Sequence, residues 1–136
     1  MAINDLPVLS ALRTKMQWHQ ERQRVLAENI ANSDTPNFRP RDLVEPKFDR
    51  SGAVSANGPM GTLPMMRTTA GHMVMAGSGP NFPQDRKGGY ETRPAGNSVN
   101  LEDEMLKVSA NQMDYAAVTS LYSRSLNLIK TAIGKR

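Results

Sequence analysis

The residues of this 136-residue chain whose types suit chemistry are two histidines, five clustered methionines and a run of three acids. His19 falls within a helical pattern, where a lone histidine is more often a polar layer in a seam than a ligand. His72 lies in a different part of the chain with no partner at ligand spacing, and reads as solvent-exposed. Met60, Met65, Met66, Met73 and Met75 carry thioethers that suit soft metals, but such clusters serve more often as adaptable contact surface. Glu102, Asp103 and Glu104 occupy consecutive helical positions that point in different directions, so capping and compensation of the helix dipole account for them. Neither GxGxxG nor GxxxxGK[ST] occurs, so no phosphate cradle is indicated. Arg22/Arg24, Arg39/Arg41 and Arg86/Lys87 read as solvated faces or local ion-pair partners. With no cysteine, disulfides, thiolate metal sites and cysteine nucleophiles are excluded. The expectation is a chain with no enzymatic activity, no cofactor and no metal.

Composition narrows the class. Hydrophobic residues make up 38% and aromatics 5% of the chain, against roughly 45–50% apolar residues, glycine included, in an average globular domain, so a large self-contained core is not expected. Lys and Arg outnumber Asp and Glu by 17 to 13, a net charge of +4. The basic residues are scattered rather than clustered, which gives nucleic-acid binding little support. No apolar run approaches the roughly 18–20 residues that span a bilayer. Asp5 and Pro7 stand where a cleavable signal would place its apolar stretch, so neither membrane insertion nor a standard secretion signal is expected.

Two helices must position whatever the chain presents. From Leu6 to about Asn32, Asp5 is a candidate N-cap and Pro7 sits near the first helical position, where its missing N–H costs nothing. Leu9, Leu12, Met16, His19, Gln23, Leu26 and Ile30 follow at steps of three and four, and Val8, Ala11, Trp18 and Val25 widen the stripe. The pattern predicts a helix of about 23 residues, roughly 35 Å long, with His19 and Gln23 as a polar layer in its seam. From Asn100 to Ile133 a second pattern runs through Leu101, Met105, Val108, Gln112, Tyr115, Thr119, Tyr122, Leu126, Ile129 and Ile133. Leu106, Met113, Val118, Leu121 and Leu128 form a flanking row. Asn100 is its candidate cap and Gly134 its stop, a rod roughly 50 Å long.

Between the helices the period is lost. Residues 51–98 hold nine of the ten glycines and five of the nine prolines, the composition of a surface insert, with Met73-Val74-Met75 as a short stretch that could form a small hairpin. The fold class expected is mainly α: N- and C-terminal helices pairing as an antiparallel coiled coil around an irregular Gly/Pro-rich insert. The chain divides into an N-terminal helix (1–33), a turn and extended segment (34–50), the insert (51–98) and a C-terminal helix (99–136). A helix pair buries one side of each helix, so the second apolar row points to self-assembly or a helical partner.

One segment is more specific. Glu28-Asn29-Ile30-Ala31-Asn32-Ser33-Asp34-Thr35-Pro36-Asn37-Phe38-Arg39 is a helix exit: Asn32 suits a left-handed C-cap, Asp34 and Thr35 bond locally, and Pro36 forbids continuation. Asn29, Ile30, Ala31, Asn32, Thr35 and Pro36 match the Asn-Ile-Ala-Asn-x-x-Thr-Pro-Gly-Tyr signature of flagellar rod and hook proteins. Asn37 stands for the usual Gly, which Asn's tolerance of positive φ permits, and Phe38 for the usual Tyr. Arg41-Asp42-Leu43 resembles the B type of proximal-rod proteins. Gly96-Asn97-Ser98-Val99-Asn100-Leu101-Glu102-Asp103-Glu104-Met105 is similar to that type's entry into its long helix, and Thr131-Ala132-Ile133-Gly134 to its ending. The resemblance covers roughly residues 8–50 and 94–135.

The resemblance implies a structural subunit of the bacterial flagellar proximal rod, linking the MS ring to the drive shaft. It implies helical self-association and contacts with other rod subunits, with the MS ring and its adaptor, and with the type III flagellar export apparatus. The implied location is the basal-body rod in the periplasmic space, reached without a cleaved signal. Leu9, Leu12, Met16, Leu26 and Ile30 are then expected to meet Val108, Tyr115, Tyr122, Leu126 and Ile129 within the chain. Trp18, Val25, Leu106, Met113, Val118, Leu121 and Leu128 are expected to touch neighbouring subunits. Another rod or hook subunit, a helical adaptor or export chaperone, and a basic nucleic-acid-binding helical protein are the competing readings.

Overall fold

A computed structural model describes residues 6–49, 82–85 and 92–134. Two long helices dominate: α1 (Pro7–Ala31) and α2 (Leu101–Ala132). They run antiparallel, with Asn29 near the end of α1 meeting Glu104 near the start of α2, and His19 meeting Asn111. Between them in sequence lie β1 (Asp42–Leu43) and β2 (Gln84–Asp85), which pair antiparallel with Asp42 opposite Asp85 and Leu43 opposite Gln84. The strand pair therefore ties the end of the insert to the segment that leaves α1. Met73-Val74-Met75, His72 and the methionine cluster lie outside the described residues.

Helix ends follow local chemistry, with two departures from expectation. Asn100 caps α2 by accepting the Glu102 N–H at 3.1 Å, and three acids occupy its first turn. Gly134, at φ +80°, follows its last turn. The N-cap of α1 is Leu6, with Pro7 next and no side-chain cap bond; Asp5 lies outside the described residues. Asn32 caps the other end at φ −101° rather than in the left-handed region, its amide reaching back to the Glu28 carbonyl. The positive φ comes five residues later, at Asn37 (57°), where the family signature places Gly.

The buried face of α1 is wider than a single seam. One side holds Leu9, Leu26, His19 and Asn29; the other holds Trp18 and Val25, packed with Leu43 and Phe82 into the apolar core. Trp18 and Val25, expected at subunit contacts, are 3% and 1% exposed. Their cover is β1 and the residue two before β2, which a helical period does not reveal.

On α2 the buried residues are Glu104, Asn111 and Val118, at seven-residue steps, flanked by half-buried Val108, Tyr115, Tyr122 and Ile129. This seam lies one residue from the expected one at two positions: Glu104 replaces Met105 and Asn111 replaces Gln112. Polar residues took these places because partners on α1 satisfy them. Val118, expected outward, is buried. Leu126, expected in the seam, stays exposed together with Ile133, because α2 has 32 residues against the 25 of α1.

Candidate functional site: the junction of the two terminal motifs

The chain leaves α1 through Asn32, Ser33 and Thr35; the Asn32 and Thr35 carbonyls accept the Thr35 and Phe38 N–H groups, and all three have room for further donors. Asn97 supplies them. Its Nδ2 lies 3.0, 2.8 and 2.8 Å from the carbonyl oxygens of Asn32, Ser33 and Thr35. Its Oδ1 accepts the Val99 N–H at 2.8 Å. The backbones join alongside: Asn37 N–H donates to the Ala95 carbonyl and Ser98 N–H to the Phe38 carbonyl. Thr35 Oγ1 donates to Asn32 Oδ1.

Gly96 closes this junction at φ +77°, and a Cβ there would stand 2.3 Å from Asn37 Oδ1. Gly96→Ala is therefore expected to cost about 2 kcal/mol through the left-handed backbone alone, plus the clash. Asn37→Gly removes the obstructing amide, so the penalty of Gly96→Ala should be about 1 kcal/mol smaller in that background. Urea midpoints of the four chains in the cycle check it.

Asn29 organises the other side. Its Nδ2 donates to the Arg41 carbonyl and to Glu104 Oε2, at 2.6 and 2.8 Å, while its Oδ1 accepts the Arg41 N–H. One side chain thus holds the returning chain against α1 and α1 against α2. Glu104, 2% exposed, also takes Lys107 at 2.6 Å. Burying a carboxylate needs such compensation.

Arg41-Asp42-Leu43 returns the chain to the side of α1. Arg41 reaches Glu28 at 3.0 Å. Asp42 takes the Arg22 guanidinium in a two-pronged bond at 2.9 and 2.8 Å, and Leu43 enters the core. The guanidinium also lies 5.2 Å from the Trp18 ring centroid, and Trp18 Nε1 donates to the Val44 carbonyl at 2.8 Å. Burial pushes the Asp42 carboxyl up, but the Arg22 bonds and charge and the Leu43 N–H outweigh it, leaving it below its ordinary 3.8. A depressed carboxylate stabilises the fold above its unfolded value, and that contribution is lost as pH falls through the folded value. Asp42→Asn is expected to cost about 2 kcal/mol at neutral pH and to flatten the fall in thermal midpoint below about pH 4.

The motif residues expected from sequence thus gather in one place. Asn29, Asn32, Arg41, Asp42 and Leu43 make its contacts, Ile30 and Phe38 are half-buried, and Ala31, Thr35 and Pro36 lie exposed at the turn. Of the expected helix pairing, Leu9 and Leu26 are buried, and Leu12, Met16, Ile30, Val108, Tyr115, Tyr122 and Ile129 are half-buried. Leu106, Met113, Leu121 and Leu128 face outward, 53–72% exposed. Glu104, Asn111 and Phe82 were missed by sequence reasoning; the seven-residue spacing of Glu104, Asn111 and Val118 was the available signal for the first two.

The α1 side of this junction resembles a known family. A model of the flagella basal body rod proteins matches residues 9–39, which contain α1 and its exit. The chain is similar along most of its length to proteins named flagellar basal body rod protein FlgB. It is 25% identical to that of Bacillus subtilis (strain 168) over 117 residues, 82% of this chain and 81% of the relative. The Borrelia hermsii protein is 29% identical over 126 residues (79% and 84%), and the Aeromonas hydrophila protein 26% over 117 (85% of each). These matches support a flagellar basal-body rod protein of the FlgB type. Among the described residues, no helix is long and apolar enough to cross a membrane, and no group of three or more His, Asp or Glu could hold a metal ion.

Proposed function

We propose that this rod protein is a proximal-rod subunit that assembles helically with its neighbours, links the MS ring to the drive shaft and transmits torque. The observation that carries the reading is that both terminal motifs, recognisable separately in sequence, are the two halves of one junction built on the helix pair. A torque-bearing subunit needs its terminal helices fixed to each other, and Asn97 and Asn29 do that with side-chain amides rather than apolar contact alone. Its partners are other rod subunits, the MS ring and its adaptor. The chain reaches the periplasmic space through the flagellar type III apparatus without a cleaved signal. No catalysis is involved.

Leu106, Met113, Leu121 and Leu128 supply the subunit contacts on α2, because they form its exposed apolar row. Leu121→Asp should leave the isolated chain's stability within about 0.5 kcal/mol but stop rod assembly; normal rods would remove that row from the interface. The deciding experiment deletes the gene in its host and images basal bodies. Rings without rod, hook and filament, restored by the intact gene, are expected, and a complete rod would overturn the reading in favour of an adaptor or accessory role.

A further inference from the structure

α2 presents apolar residues on more than one face: a buried and half-buried seam including Val108, Tyr115, Val118 and Tyr122, and an exposed row including Leu106, Met113, Leu121 and Leu128. Hydrophobic matching to α1 does not by itself decide which face docks. The residues that differ between the faces are polar. Asn111, 2% exposed, donates from Nδ2 to the His19 carbonyl and to Gln23 Oε1, both at 3.0 Å, and its Oδ1 accepts from His19 Nδ1 at 2.7 Å.

We infer that His19, Gln23 and Asn111 form a recognition layer by which α1 selects one face and one register of α2, leaving the Leu106–Leu128 row outward. The spacing enforces the choice. One heptad before His19 and Gln23 stand Leu12 and Met16; one heptad after stand Leu26 and Ile30. A slip of α2 by seven residues in either direction sets the Asn111 amide between two apolar side chains. Rotation of α2 to its outer row leaves His19 and Gln23 facing leucine and methionine. Each alternative strands buried polar groups, which is how a single polar position in a helix seam fixes pairing. The layer acts by penalising wrong arrangements. His19 Nε2 is buried without a partner among the described residues.

The chain has no cysteine, so single thiols report the faces. In the full chain, the thiol of the Met113→Cys variant should react rapidly with a maleimide and that of Val118→Cys slowly. Adding His19→Leu with Asn111→Leu is expected to leave the chain helical while the ratio of the two rates falls towards unity, because α2 samples its other face. Asn111→Ala, which adds no bulk, should move the ratio the same way and serves if the leucine pair does not fold. A ratio unchanged in either folded variant overturns the inference. Loss of folding in both also overturns it, since the layer would then be needed for stability rather than for choice.

Discussion

Trp18→Ala is expected to destabilise the isolated chain by about 4 kcal/mol, the usual cost of emptying a large aromatic site in a core. The ring is nearly fully buried against Val25, Leu43 and Phe82, and its Nε1 bond to the Val44 carbonyl is the tie that draws the segment after β1 onto α1. Removing the ring leaves a cavity, an unpaired carbonyl and an Arg22 guanidinium without its aromatic face. At about 4 °C per kcal/mol, the thermal midpoint should fall by roughly 15 °C. Trp18→Phe keeps most of the packing and loses the Nε1 bond, so about 1–2 kcal/mol is expected. Circular dichroism melts in dilute solution are the measurement. Were Trp18 a subunit contact, alanine would leave the dilute chain's midpoint unchanged and impair only assembly.

Asn97→Ala is expected to cost about 3 kcal/mol, the sum of several lost bonds at about 1 kcal/mol each. It leaves the Ser33 carbonyl and the Val99 N–H without a partner and takes a second donor from the Asn32 and Thr35 carbonyls. A fall of roughly 10 °C in thermal midpoint follows. Asn97→Asp is the sharper variant. It is close in shape to asparagine and keeps the acceptor for Val99, but it sets an anionic oxygen against three carbonyl oxygens. It should be at least as destabilising as alanine at neutral pH and should recover part of the loss when acid protonates it. Equal midpoints for Asn97→Asp at pH 7 and pH 4 would show that the amide does not hold these carbonyls.

The helices were legible because their apolar spacing extends over many turns and because Pro7, Asn100 and Gly134 mark their ends. The seam of α2 was legible only in part. Val108, Tyr115, Tyr122 and Ile129 carry their own signal, whereas Glu104 and Asn111 are buried by virtue of Asn29, His19 and Gln23, partners on the other helix. Apolar periodicity is blind to a polar residue that has been paired. Trp18 and Val25 looked like a free row for a related reason: their cover, Phe82, lies 57 residues beyond Val25 in a stretch with no period. The motif at Asn29–Phe38 was legible as a turn and a resemblance. Its chemistry became readable once Asn97 stood beside it, because each half of the junction supplies groups the other lacks.

The junction also has a kinetic side. Asn97 and its three acceptors lie 62–65 residues apart in the chain, and His19 and Asn111 lie 92 apart. Contacts of such long sequence separation must close a large loop before any bond rewards the closure, which slows folding. Until the last third of the chain is in reach, the exit from α1 therefore has only its local donors, the Thr35 and Phe38 N–H groups, and none for the Ser33 carbonyl. The junction forms only once both ends of the chain are together, so an extended chain stays open until its last third can fold back on the first.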